Sequence, residues 1–301
     1  MTPTPNLPHG VPAALELGTP AAFIEDKKYL MNVTRATLVF YGCAFKAFTG
    51  CTSETEYKQR IVSLLKKGIK PISVNTWLTC INNYLHWQVS KRPRCHAACE
   101  LHFRLAKLKV EDKIIGTLSM EQVRALLNVT THGENARRVQ VFAAVLLDTG
   151  LREMEVLSLR RKDVDLDALT VKVMGKGRKE RVVPLSTEGR KWLYLWMRGG
   201  QHQPEQYIFA TSSGLPLSAR NAQRDLKLLG ERAKVTGVRM SPHTLRHTFA
   251  VAYLRNGGNL EYLRRILGHS DIKVTQRYLR SLGPDDLQRV HTGLSPLSRV
   301  P

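Results

Sequence analysis

Acidic residues are scarce in this 301-residue chain: 25 Asp and Glu stand against 46 Lys and Arg, a net charge of +21. The imbalance is not confined to a tail. Residues 1–116 carry 16 basic and 8 acidic groups, and residues 117–301 carry 30 and 17. A whole-chain surplus reads as two folded regions that both face a polyanion. Long apolar runs are missing too. None reaches the ~18–20 residues that a membrane span needs, and Met1 to Gly10 lacks the basic stretch and apolar core of a signal peptide. Cysteine is sparse, five residues at irregular spacing. An odd count argues against a disulfide framework and fits reduced thiols in a cytoplasm. What the chain does have is 43% hydrophobic residues, enough for a packed core.

Residues 1–20 hold prolines at 3, 5, 8, 12 and 20 and read as a flexible leader. From 21 to 107 the pattern is helical throughout, with helices expected over Ala36–Phe48, Thr55–Lys67 and Ser73–Val89. Residues 108–118 read as a linker. Ser119 with Gln122 forms a capping-box pattern that opens a second domain, 119–282. Within it, Val139–Leu147 is almost wholly apolar and predicts a buried helix. Leu151–Arg160 predicts another. Strand signals are confined to Ala168–Met174 and Arg181–Leu185, joined by a Gly-Lys-Gly turn, with a third short strand expected at Tyr207–Ala210. Helices are expected over Thr187–Arg198, Ser218–Ala233, His243–Arg255, Leu260–Leu267 and Ile272–Arg280. The fold class expected is mainly α with a small antiparallel β-sheet: an all-helical N-terminal domain and an α+β second domain. A tail, 283–301, carries the helix-start pattern Gly283-Pro284-Asp285-Asp286.

Four clusters in the second domain combine into one chemistry. Arg152 follows a helix-ending Gly150, with Glu155 three residues on. Lys176 sits between two glycines at a hairpin tip. His243 and Arg246 are three apart at a helix start and share a face. His269 follows Gly268, and Tyr278 comes nine residues later. Singly, each has a plain reading: a surface ion pair, a solvated turn, a helix cap, a packed ring. Together they offer two arginines, a lysine, two histidines and a tyrosine, with no carboxylate metal site. That set suits metal-free phosphoryl transfer on DNA. Arginine presents a planar fork to two phosphate oxygens, two arginines can neutralise a phosphorane-like transition state, and a phenol can form a covalent phosphate ester. Its free pKa of ~10 calls for a nearby base or positive field.

The stretches TGLREMEVLSLRRKDVD (149–165), GKGRKERVVPL (175–185), PHTLRHTFA (242–250) and LGHSDIKVTQRY (267–278) resemble the tyrosine recombinase, or phage-integrase, family. The likeness is to its compact Xer-type and mobile-element members. It implies that Arg152 and Arg246 hold the scissile phosphate and that Lys176 protonates the 5′-hydroxyl leaving group. His243 would assist proton transfer at the tyrosine and touch the phosphate. His269 would donate a further hydrogen bond to it, and Tyr278 would form a 3′-phosphotyrosine link. Glu155 would support this set from behind; His247 is read as structural. The resemblance also implies a site-specific recombinase working through a Holliday junction, with no metal or other cofactor. Its partners would be double-stranded DNA with an inverted-repeat core site, a homotetramer on two sites or a mixed tetramer with a relative, and accessory DNA-bending proteins. The two domains would close as a C-shaped clamp, the first serving as a core-binding domain, and the tail helix would dock on a neighbouring protomer.

Within the first domain and linker, Arg35, Lys66, Lys67, Lys70, Lys91, Arg92 and Arg94 are candidate phosphate contacts, with Lys109 and Lys113 crossing the duplex. Base contacts are not assigned. Cys95, Cys99 and His102 have near-ligand spacing, but zinc would want a fourth ligand; on a helix they share one face and read as packing. Two rival functions stay open: a type IB topoisomerase-like relaxase, with the same chemistry but no synapsis, and a catalytically silent DNA-binding regulator.

Overall fold

A computed structural model describes residues 19–91, 103–110, 116–175, 180–198, 203–295 and 297. Outside them lie most of the expected leader, the expected contacts Arg92, Arg94 and Lys113, the Cys95–Cys99–His102 group, and Lys176; nothing is described of the Lys91 side chain. The chain divides into two compact units, Met1–Asp112 and Lys113–Pro301.

The first unit is helical among its described residues: α1 (Pro20–Tyr29), α2 (Arg35–Ala47), α3 (Glu54–Lys66) and α4 (Pro71–Lys91). Each start is written in the sequence. Thr19, Thr34 and Ser53 cap α1 to α3, and Glu56 folds back on Ser53 to complete a capping box. Phe23, Phe45, Tyr84 and Trp87 interlock edge to face, and the indole N–H of Trp87 donates to Asp26 at 2.8 Å. Asn75 and Asn82 of α4 each grip the backbone of the segment 103–110. Their amides donate to Leu108 O and Leu105 O, and accept from the same residues' N–H groups, at 2.7–2.9 Å. Seven helical residues rise about 10 Å, the reach of three extended ones, so the two amides meet Leu105 and Leu108 in step. Arg35, Lys66, Lys67 and Lys70 are all exposed.

The second unit is built around α6 (Glu134–Thr149), which follows α5 (Met120–Asn128). Val139 to Leu146 is buried along its whole length, as the apolar run predicts, and carries the unit's largest core cluster with Phe142 against Phe209. Two polar side chains in this helix donate to backbone carbonyls: Arg138 Nη1 to Ala210 O, and Gln140 to Leu127 O and Val129 O. After α7 (Glu153–Leu157), a three-stranded antiparallel sheet follows in the order β1 (Val164–Asp165), β2 (Thr170–Met174), β3 (Glu180–Pro184). Val171 pairs with Val183 and Val173 with Arg181. Val171, Val173 and Val183 face the core, so Arg181 points inward as well, while Val182 faces out. Then come α8 (Thr187–Met197), α9 (Ala219–Arg232), α10 (Pro242–Arg255), α11 (Leu260–Leu267), α12 (Ile272–Gln276) and α13 (Pro284–Leu294). The tail helix α13 is joined to α10 by the Arg255–Asp286 ion pair at 3.0 Å.

Three expected elements take other forms. Leu151–Arg160 is not one helix: α7 spans five residues, and Arg160 then pairs in a bridge with Tyr207. Tyr207–Ala210 is accordingly two isolated bridges rather than a strand. Ile272–Arg280 breaks at Gln276 into α12 and a 3₁₀ turn, Arg277–Ser281, which carries Tyr278 into a small apolar cluster with Ala250, Val251, Leu254, Leu263 and Leu267.

Candidate active site

Two helix ends make the site. The helix α6 ends at Gly150 and α11 ends at Gly268, both in the left-handed conformation at φ 61° and 65°. Neither tolerates a Cβ: it would stand 2.2 Å from the Phe249 ring at Gly150, and 2.8 Å from the Arg181 guanidinium at Gly268. Glycine therefore permits both the turn and the close approach. The freed carbonyls at these ends carry the negative end of the helix dipole, and they hold the two arginines. Arg246, buried on α10, donates to Gly150 O at 2.7 Å and Leu267 O at 2.8 Å. Arg152 donates to Gly268 O at 3.0 Å.

Glu155 sits behind them, buried. It accepts from the Arg152 backbone N–H at 2.8 Å, from Arg152 Nη1 at 2.9 Å, and from both Arg181 terminal nitrogens at 2.8 and 2.7 Å. Burial alone would raise this carboxyl, but the hydrogen bonds from Arg181 and Arg152 outweigh it and hold the group below the ordinary carboxylate range. Arg181 also donates to Ile266 O at 3.2 Å, tying β3 to the end of α11.

In front of this frame lies a cavity of about 380 Å³ lined by Arg152, His243, Arg246, His247, His269, Arg277 and Tyr278, among others. Five of the expected residues are thus brought together, with Glu155 immediately behind; Lys176 lies outside the described residues. A larger cavity of about 590 Å³ in the first unit, lined by Asn82, His86, Phe103 and Arg104 among others, gathers no comparable chemistry.

Hydrogen-bond roles follow from what each group can do. A guanidinium only donates, so His269 Nε2 accepts from Arg246 Nη2 at 3.0 Å, and its Nδ1–H donates to the buried Thr275 hydroxyl at 2.9 Å. Tyr278 is 4% exposed, and its hydroxyl lies 3.2 Å from His247 Nδ1. Burial pushes the phenol up from its ordinary value, against the opposing pull of Arg246. His247, Arg181 and Thr275 are the residues that sequence reasoning missed. His247 had a signal: it lies four residues after His243, one helical turn on, and their rings stack at 6.4 Å.

Both half-buried histidines are neutral at pH 7. Burial first, then His243, Arg246 and Arg277, pushes His247 down to about 4. Burial first, then Arg246 and Arg152, pushes His269 down to about 4. Unfolding restores values near 6.5, so between pH 6.5 and 4 the unfolded chain binds protons that the folded chain refuses. The stability these groups contribute is complete above pH 6.5 and is lost as pH falls toward 4. Solvent screening of partly exposed rings limits the joint loss to about 2–4 kcal/mol. The melting temperature should therefore fall from pH 7 to pH 4.5, and less steeply with bound duplex, whose phosphates oppose the arginine field. A flat profile without DNA would contradict the neutral state.

Residues 117–283 match the family model described as the phage integrase family. The chain is 30% identical over 256 residues to the tyrosine recombinase XerC of Xanthomonas axonopodis pv. citri, covering 85% of this chain and 82% of that one. It is 30% identical over 240 residues to the tyrosine recombinase XerD of Pseudomonas putida, covering 77% and 78%. Among solved structures, the fold matches the Tn1549 transposon integrase in complex with transposon right end DNA. The TM-score is 0.73 at 17% identity, over 92% of this chain and 99% of that one.

Proposed function

Since the chain belongs to the phage integrase family of tyrosine recombinases, we propose that it cleaves and rejoins DNA at a specific site through a 3′-phosphotyrosine on Tyr278. The observation that carries this reading is the convergence of Tyr278, Arg152, Arg246 and three histidines on one cavity. The scissile phosphate enters between Arg152 and Arg246, whose positions are set by helix-end carbonyls before DNA arrives, and this preorganisation favours the transition state. His243, exposed on the first turn of α10, touches the phosphate. His269 donates to it once the incoming negative charge lets Nε2 take up a proton. Lys176 protonates the 5′ oxygen as it leaves.

The bond energy is kept in the phosphotyrosine, so a 5′-hydroxyl from a second duplex can attack it without ATP. Two such exchanges pass through a Holliday junction made by four protomers on two sites. The exposed Arg35, Lys66, Lys67 and Lys70 fit a first unit that binds the duplex backbone. The tail helix, with Leu287 and Leu294 exposed, fits docking on a neighbouring protomer. The biological setting in this reading is integration, excision or resolution of a mobile element, plasmid or chromosome dimer.

A nicked duplex that loses its 5′-hydroxyl fragment on cleavage tests the chemistry. Wild type on its own recombination site should accumulate a covalent adduct mapping to Tyr278, and Tyr278→Phe should form none. The phenylalanine keeps the buried ring, so its melting temperature should stay close to wild type. An adduct on another residue, or none in wild type, overturns the reading.

A further inference from the structure

The Tyr278 hydroxyl must lose its proton when it attacks phosphorus, and its surroundings point to where that proton goes. Burial has pushed the phenol up, so the proton does not leave unaided. The positive charge of Arg246 opposes that rise, but a guanidinium has nothing to accept a proton with. The phenolic hydrogen is left for the other neighbour, His247 Nδ1, at 3.2 Å. The two rings are tilted at 55° with centroids 5.5 Å apart, and in the tautomer that carries its hydrogen on Nε2, Nδ1 is free to accept from the hydroxyl. His243, given this task by its motif position, is exposed one turn away, its ring 6.4 Å from that of His247. His269 is engaged elsewhere: both ring nitrogens are bonded, to Arg246 and Thr275.

We propose that His247 is a catalytic residue that accepts the Tyr278 proton during cleavage and returns it during rejoining. This rests on Tyr278 being the nucleophile. In cleavage the Tyr278 O–H bond breaks as the Oη–phosphorus bond forms, and the proton passes to Nδ1. The bond from phosphorus to the 5′ oxygen breaks with its electron pair, and that oxygen takes a proton from the opposite side of the phosphate. In rejoining an incoming 5′-hydroxyl displaces Tyr278, and the imidazolium protonates the departing phenolate. In the DNA-free pocket burial opposes imidazolium formation most, and His243, Arg246 and Arg277 add to it. The scissile phosphate brings negative charge among them, cancels that field, and admits the proton as charge moves from phenolate to phosphorus. Arg246 and His247 thus divide neighbouring positions of one helix between phosphate and nucleophile.

Two variants separate proton acceptance from mere positioning. His247→Asn places an acceptor oxygen where Nδ1 stood but cannot hold a proton; His247→Ala removes both. Single-turnover cleavage is measured on the chain's own site, with the ordinary scissile phosphate and with sulfur replacing the 5′ bridging oxygen. Sulfur needs no protonation to leave, so it relieves defects on the leaving-group side only. Both variants should bind the duplex as wild type does yet cleave about 10²-fold more slowly, on oxygen and sulfur alike. A wild-type rate in His247→Asn reduces His247 to a positioning residue and overturns the proposal, as does recovery on the sulfur substrate. Folding defects are separated by adding imidazole to His247→Ala: a rate that climbs with imidazole concentration supports proton acceptance, and no rescue overturns it. If wild type forms no Tyr278 adduct, the fault lies with the nucleophile reading instead.

Discussion

Arg246→Lys should bind duplex DNA and cleave it about 10³-fold more slowly than wild type, the loss expected when a preorganised donor to the transition state is removed. Charge is not what the change removes first; geometry is. Arg246 is 4% exposed, and its guanidinium bridges the ends of two helices through Gly150 O and Leu267 O while reaching His269 Nε2. A planar fork makes those contacts and still offers nitrogens toward a phosphate. A single ammonium on a flexible stem cannot span them. Then the charge weakens too. Burial, with the nearby Arg152 charge, already brings Arg246 from the arginine range to about 10. A lysine starts near 10.4, so the same surroundings would push it toward neutrality at working pH. Arg246→Ala should show a similar rate loss and a lower melting temperature, because two buried carbonyls lose their donors at about 1–3 kcal/mol each. Single-turnover cleavage with melts on the same samples reads both effects. An Arg246→Lys rate within tenfold of wild type would mean the phosphate is held elsewhere.

Regular elements were legible where local signals agree. Leu260–Leu267 is predicted and found with the same ends, because Asn259 caps it and Gly268 stops it. The apolar run Val139–Leu147 predicts a buried helix, and Val139 to Leu146 are buried in α6, with Leu147 half-buried at the end of the run. Legibility fails where distant partners decide. The backbone after Leu157 leaves the helix so that Arg160 can pair with Tyr207, 47 residues on. The turn at Arg277–Ser281 tightens so that the Tyr278 ring enters its apolar cluster while the hydroxyl meets His247. No spacing rule within a single element encodes either demand.

The site divides the same way. Residues recognised by chemistry, two arginines, two histidines and a tyrosine, line the cavity. The residues that place them were hidden because their types are common and their partners remote in sequence. Arg181 reads as one more charge on a basic hairpin until the pairing of Val173 with Arg181 turns it inward toward Glu155. Thr275 reads as a helix residue until His269 Nδ1 is seen against its hydroxyl. Gly150 and Gly268 read as helix stops; that their own carbonyls, with that of Leu267, would be arginine ligands follows only once two helix ends are brought together.

Glu155→Ala should cause the largest loss of stability among these residues, about 3–5 kcal/mol, the range for removing one partner of a buried ion pair. The carboxylate is acceptor for both Arg152 and Arg181, and Arg181 is 15% exposed in its side chain. Without Glu155, two guanidiniums lose their carboxylate partner, keeping only Gly268 O and Ile266 O, and one backbone N–H loses its acceptor, inside a region already crowded with Arg246. For a unit of this size each kcal/mol moves the melting temperature by about 2–4 °C, so a drop near 10 °C is expected. Arg181→Met should cost less, since Arg152 stays to pair the carboxylate. The double variant should then be more stable than the sum of the single losses predicts, with a coupling of about 1–3 kcal/mol, because it removes both charges at once. Cleavage follows position rather than stability. In Glu155→Ala, Arg152 keeps only Gly268 O as an anchor, so the rate should fall at temperatures where the protein is fully folded; in Arg181→Met, where Arg152 keeps its carboxylate, the rate should fall less. Melting temperatures that add without coupling would show that Glu155 and Arg181 act independently. A Glu155→Ala rate equal to wild type would show that Arg152 needs no carboxylate to hold its phosphate-facing position.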